Sequence, residues 1–228
     1  VRDSEGKKMS KSIGNVIDPL DVIEGITLDN LINKRTSSLM NEKQKNNIIN
    51  KTKKDFPEGI KEYGADALRF NFCAMASTGR DINFDLNRIE GYRNFCNKLW
   101  NASRYILIAC DKYDYRENLN TEDATIFDKW IMYKLDNVVS DFKKYSTNYR
   151  FDLMANSIYE FVWNEYCDWY LEITKNNINE TNKGFLIYSI IRIVKVCHPI
   201  VPFITEDIWN ELFKKGFVDE RNLISSSF

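Results

Sequence analysis

The chain has 228 residues, with 32 Lys plus Arg set against 33 Asp plus Glu, so no global field draws it to a polyanion and any such contact must rest on local patches. Hydrophobic residues make up 43% and charged residues 29%, and no apolar run is long enough to cross a bilayer or drive secretion, which predicts a cytoplasmic protein with no membrane partner. Five dispersed cysteines without a CxxC pair predict buried, reduced thiols, and the one histidine, His198, leaves no His-based metal cluster and no Ser/His/Asp relay.

Residues 1–15 are rich in Gly, Ser and Lys and lack an apolar period, which predicts a mobile loop bracketed by Gly6 and Gly14. Within it Lys8, Met9, Ser10, Lys11 and Ser12 place two ammonium groups three residues apart with two hydroxyls beside them. That set suits a polyphosphate, because a lysine is a compact charge on a flexible stem that can follow negative charge onto a departing pyrophosphate. The same composition also fits an ordinary lysine-rich surface loop. A short helix is predicted after Asp18, with Pro19 at its first position and Leu20, Val22 and Ile23 as its buried side. From Ile26 to Phe56 seven Lys or Arg occur between Lys34 and Lys54 against one acid, Glu42. This basic segment reads as a solvated excursion, in the form of a helical hairpin around Leu28, Leu31, Ile32, Leu39, Ile48 and Ile49, or as a polyanion contact.

Order returns at Glu62 to Ala76, read as a helix with Ala65, Leu68, Phe72, Met75 and Ala76 inward. From Gly79 to Tyr105 a polar turn feeds a long amphipathic helix whose stripe is Leu86, Ile89, Tyr92, Phe95/Cys96, Leu99, Ala102/Ser103 and Ile106. Its other side carries Arg93, Asn97, Asn101 and Arg104, with Tyr105 as a ring beside them. Such groups grip phosphates and base edges in RNA-binding proteins, and they also serve as the solvated side of a bundle helix. After a polar link over Tyr113 to Thr121, a helix opening at Thr121, Glu122 and Asp123 has Phe127, Trp130/Ile131, Leu135, Val138/Val139 and Phe142 inward. The most aromatic helix follows, with Phe151, Met154, Ile158, Phe161/Val162, Tyr166, Trp169 and Ile173 as a core stripe. A turn over Asn176 to Lys183 precedes a nearly all-apolar helix from Phe185 to Cys197. His198 and Pro199 end it, and a last helix from about Pro202 to Lys215 turns Phe203, Ile208/Trp209 and Leu212 inward. The fold class is therefore mainly α, an antiparallel helical bundle preceded by a loop and connecting helices. The expected division is 1–15 loop, 16–80 connecting region, 81–215 bundle and 216–228 tail.

KMSKS followed by IGNVIDP resembles the second signature motif of the class I aminoacyl-tRNA synthetases, with Ile13 where Lys or Leu is more usual. The order KMSKS, then YGADALRF (residues 63–70), then the amphipathic helix, then HPIVPFITEDIW (residues 198–209) is similar to that of class Ia. EGYRNFCNKLWNASR and CDWYLE (residues 167–172) look most like the valyl members. The resemblance implies ATP-dependent activation of L-valine, with Mg expected from the family, and transfer of the valine to its tRNA by a monomer. It implies that Lys8 and Lys11 stabilise the leaving pyrophosphate and that residues 8–12 form an ATP-closing loop, while position on the helix face makes Arg93, Asn97, Asn101, Arg104 and Tyr105 the candidates for tRNA contact. The family's HIGH tetrapeptide is not found, so the chain alone is expected to be inactive and to lack the valine pocket and editing site. An isoleucyl- or leucyl-type fragment, a free-standing helical RNA-binding module and a structural bundle stay open as alternatives.

Overall fold

A computed structural model describes residues 1–226 apart from 4, 78, 80, 116–118, 120, 123 and 177. Parts of the expected links at 79–85, 113–121 and 176–183, including Asp123 at the expected helix start, thus lie outside the described residues. The chain divides into two compact units, Val1–Arg93 and Asn94–Phe228. Among the described residues regular structure is helical, and the only β-type pairings are isolated bridges.

In the first unit a single 3-10 turn at Lys11–Ile13 is followed by α1 (Pro19–Ile23), α2 (Leu28–Thr36), α3 (Glu42–Asp55) and α4 (Ala65–Met75). Asp18 caps α1 as expected, its carboxylate accepting from the Leu20 amide, and Pro19 stands at the first helical position where its missing N–H costs nothing. The inward side differs from the sequence reading: Val22 is buried, but Leu20 is 57% exposed and Asp21 takes the buried place. The basic segment folds as the α2–α3 hairpin, and a two-way bridge between Ile26 and Ile60 closes its base. Gly59 permits that closure, because a Cβ there would lie 2.1 Å from the Ile26 carbonyl oxygen. Helix α4 starts three residues later than predicted and buries Asp66, Ala67, Leu68, Phe70 and Asn71, whereas the expected Ala65, Phe72 and Met75 are only half-buried. Val22, Ala67, Leu68 and Ile89 form the apolar centre, and Phe70 stacks on Tyr92 at 4.6 Å.

The long helix α5 (Leu86–Ala109) realises the predicted stripe: Ile89, Phe95, Cys96, Leu99, Ala102, Ser103 and Ile106 are buried. The second unit continues with α6 (Ile126–Thr147), α7 (Phe151–Glu160), a π-helical segment (Phe161–Tyr170), α8 (Leu171–Lys175), α9 (Glu180–Cys197) and α10 (Pro202–Lys214). Helix α6 packs on α7, on the π segment and on α9, and α9 packs on α10, which makes an antiparallel bundle. A capping box starts α6, in which Thr125 and Asp128 satisfy each other's backbone amides. Asp128 is wholly buried and also accepts the Tyr170 hydroxyl at 2.7 Å, so one carboxylate ties a helix start to the aromatic helix.

The aromatic stripe shows where a 3.6-residue period misleads. From Phe161 the π turn advances the inward side first by five residues, from Phe161 and Val162 to Tyr166 and Cys167, and then by four, to Tyr170 and Leu171. Trp169, predicted inward, is consequently 64% exposed. Phe127, Phe151 and Phe203, each in the first two positions of its helix, also face outward, at 44%, 37% and 62% exposure. Beyond α10 the tail packs back, with Phe217 and Leu223 buried and the Trp209 indole donating to the Glu220 carbonyl. His198 accepts or donates a 2.8 Å bond with the Thr205 hydroxyl, the packing role expected of it.

All five cysteines are free thiols. Burial pushes Cys110 and Cys167 up to about 12, so neither is a thiolate near neutrality.

Candidate functional site

The loop holding Lys8 and Lys11 lies in the first unit and is tied on two sides through its backbone. On one side Asn15, buried, accepts from the Ser10 amide at 2.8 Å and donates to the Lys8 carbonyl at 3.2 Å and to Asp3 at 2.9 Å. Asp3, also buried, accepts from the Lys7 and Glu5 amides. Burial raises the Asp3 carboxyl, yet the bonds from Asn15 and from those two amides outweigh it and hold the group below its usual value. On the other side the α2–α3 hairpin reaches in: Ser38 donates to the Lys11 carbonyl, Gln44 to the Ser12 carbonyl and Arg35 to the Gly14 carbonyl.

Gly14 makes the last of these approaches possible. Its φ of +74° suits glycine, and a Cβ would meet the Arg35 carbonyl oxygen at 3.1 Å and the Ile48 and Leu39 side chains at 3.2 Å. While the backbone is fastened, both ammonium groups stay in solvent: Lys8 and Lys11 are exposed, and neither is ion-paired among the described residues. Ser10 and Ser12 pair their hydroxyls at 2.7 Å, and Met9 is half-buried. The five motif residues are thus brought together, with two free cations on a backbone of fixed shape. That arrangement can neutralise charge on a polyphosphate without spending freedom on the backbone.

A cleft of about 330 Å³ opens beside Lys11, with Asp18, Asp21, Lys34 and Arg35 among its walls. Lys34 bridges Asp18 at 2.9 Å and Asp21 at 2.8 Å. Its bond and the Leu20 amide hold the Asp18 carboxyl below its usual value. Asn15 was not identified from the sequence, nor were Arg35, Ser38 and Gln44, since nothing in a basic, weakly apolar segment marks which of its polar groups turn toward a loop 21 to 32 residues earlier. Among the described residues there is no group of three or more His, Cys, Asp or Glu that could hold a metal ion.

The tRNA candidates lie on α5. Arg93 ends the first unit. Asn97, Asn101 and Arg104 belong to the second and are exposed at helical spacing. Tyr105 is different. Its ring is half-buried, its hydroxyl is buried without a partner, and the Lys175 ammonium sits 5.6 Å from the ring centroid. Burial raises this phenol above its ordinary value. The hydroxyl therefore points inward and only a ring face is available to a base. Another aromatic set joins α5 to the aromatic helix, and of it the sequence stripes named only Phe95: Tyr159 stacks on Phe95 and on Trp163, and Lys98 stands 3.9 Å over the Trp163 ring while pairing with Asp168.

Residues 1–85 match the family described as tRNA synthetases class I (I, L, M and V), and residues 128–226 match the anticodon-binding domain of tRNA ligase. The valine–tRNA ligase of Legionella pneumophila (strain Lens) is 51% identical over 223 residues, covering 94% of this chain and 24% of that protein. That of Francisella tularensis is 49% identical, covering 93% and 24%, and that of Buchnera aphidicola 46%, covering 100% and 25%. The chain thus spans about a quarter of the length of the curated relatives it matches. In fold it is similar to the LeuRS of Agrobacterium radiobacter K84, seen in a ternary complex with tRNA and LeuAMS, with a TM-score of 0.61 over 92% of this chain and 21% of that one at 16% identity. No described helix is long and apolar enough to cross a membrane. With a synthetase match in its first unit, an anticodon-domain match in its second and half its residues shared with those enzymes, the chain belongs to the valine–tRNA ligase family of class I tRNA synthetases.

Proposed function

We propose that this chain supplies the ATP-closing loop and the anticodon-reading bundle of an enzyme that activates L-valine with ATP and joins it to its tRNA in the cytoplasm. The observation that carries the reading is the tethered loop with two lysines that have no ion pair among the described residues, found in a chain half identical to valine–tRNA ligases. In this reading Lys8 and Lys11 stabilise the charge that moves onto pyrophosphate as the aminoacyl-adenylate forms, so they act on the transition state more than on bound ATP. Asn97, Asn101 and Arg104, with Arg93 before them, supply amide and cationic contacts to splayed anticodon bases and their phosphates, and Tyr105 offers one ring face for stacking. The expected division into a loop at 1–15, a connecting region at 16–80, a bundle at 81–215 and a tail at 216–228 is kept as part of this proposal, as is action as a monomer.

The two roles separate experimentally in a valine–tRNA ligase carrying this chain as its loop-and-bundle segment. Changing Lys8 and Lys11 to Ala is expected to slow valine-dependent ATP/pyrophosphate exchange about 100-fold or more and to leave tRNA affinity within about twofold. Asn101→Ala with Arg104→Ala is expected to do the reverse, weakening anticodon stem-loop binding about tenfold at fixed salt. Equal losses in both assays from either pair would overturn the assignment.

A further inference from the structure

The hairpin α2–α3 bonds to the loop through the loop's backbone carbonyls and leaves the two lysine side chains free of these bonds. Three residues of the loop, Lys11, Ser12 and Gly14, each have a backbone carbonyl that accepts from a hairpin side chain: Ser38 at 3.1 Å, Gln44 at 3.1 Å and Arg35 at 2.9 Å. These donors come from both helices of the hairpin and the turn between them, so the contact is spread over the whole hairpin. Arg35 is the fixed point. It is 7% exposed, its guanidinium also donates to Thr52 on α3 at 3.0 Å, and it lies 5.7 Å over the Phe56 ring. Thr52 is wholly buried and its hydroxyl donates a hydrogen bond to the Ile48 carbonyl at 2.7 Å. A buried arginine in that setting has one orientation, because any rotation would strand a charged donor away from water.

The consequence concerns where the lysine ammonium groups stand. Each sits at the end of a flexible stem whose root is the loop backbone, and a shift of about 1 Å at the root of a transition-state contact is enough to lose much of its effect. On that ground we propose that Arg35, Ser38 and Gln44 are positioning residues of the ATP loop, and that the α2–α3 hairpin sets the loop geometry from which Lys8 and Lys11 act. The proposal rests on the functional reading above for its kinetic part, but its structural part stands on the hydrogen bonds alone.

The test therefore has two arms. In the 228-residue chain itself, Ser38→Ala with Gln44→Ala removes two tethers near the surface; hydrogen exchange of the 10–14 amides is expected to speed up about tenfold, with unchanged melting temperature. In a valine–tRNA ligase carrying this chain, the same pair is expected to lower kcat for ATP/pyrophosphate exchange about tenfold while KM for valine and tRNA affinity stay within about twofold. Ser38→Thr, which keeps the hydroxyl, is expected to retain the rate. Arg35→Lys, which keeps one donor to Gly14 and loses the fork to Thr52, is expected to fall lower than the surface pair. If the amides loosen and the rate is unchanged, the hairpin is only structural and the positioning role is overturned. If neither amides nor rate respond, the tethers themselves are overturned. A parent enzyme with no valine-dependent exchange would instead overturn the functional reading, and the kinetic part of this proposal with it.

Discussion

The two units of this chain are held by different physics. In the second, the determining contacts are apolar and stacked: α6, α7, the π segment and α9 bury Ile131, Leu135, Ile158, Tyr166, Tyr170 and Ile190, each at 1% exposure or less. In the first, an apolar centre of four buried residues accompanies a set of buried polar groups, Asp3, Asn15 and Arg35, which bond to loop backbone, with Thr52 holding Arg35. Burial of apolar surface is strong and has no direction, so it packs helix on helix but cannot fix the path of a loop. Hydrogen bonds are weaker and directional, and a loop that must present two charges at defined points uses them.

That contrast breaks first at the π segment, if it breaks. Tyr170→Ala is expected to destabilise the second unit by about 3–5 kcal/mol, since it removes a buried ring and strands Asp128, whereas its neighbour Trp169→Ala, on a residue 64% exposed, is expected to stay within about 0.5 kcal/mol. Denaturant unfolding of the two variants checks this, and the reverse order would restore the uninterrupted 3.6-residue stripe. The next effect is smaller and probes the polar exception inside the apolar unit. Asp128→Asn puts an amide where Thr125 and Tyr170 both donate, and a loss of about 2 kcal/mol is expected in the same measurement.

The smallest effect sharpens the comparison from the loop side. The Asp3 carboxyl is held below its ordinary value of 3.8, so its contribution is complete above that value and is lost as the pH falls through the lower folded value. Hydrogen exchange followed under acid is expected to show the 7–15 amides losing protection below about pH 4 ahead of the α9 amides, with Asp3→Asn removing that step. Simultaneous loss in both regions would mean that the loop has no separate polar anchor.

Much of this was legible in the sequence. The α5 stripe, the Asp18 and Pro19 start of α1 and the burial of four of the five cysteines, Cys73 being half-buried, follow from local periodicity and capping, which neighbouring residues fix among themselves. The five motif residues were legible by their order, as was the family. The outward turns of Leu20, Phe127, Phe151 and Phe203 were not, because a position near a helix start is apolar or exposed according to what the next element covers. Nor was the role of the basic segment. Its seven cations read as a charge patch, and only the folded hairpin separates Arg35, buried against Gly14 and Thr52, from Lys43, Lys53 and Lys54, which remain in solvent.

The sequence by itself determined that the chain is helical, which stripe α5 buries, and that two lysines sit three residues apart on a glycine-bounded loop. Tertiary structure decided the register change in the aromatic helix and the shape of that loop. The reason is one of range: helical spacing is set within four residues, whereas the bonds that fix the loop join residues 21 to 32 positions apart, and no local pattern records which distant donor finds a carbonyl.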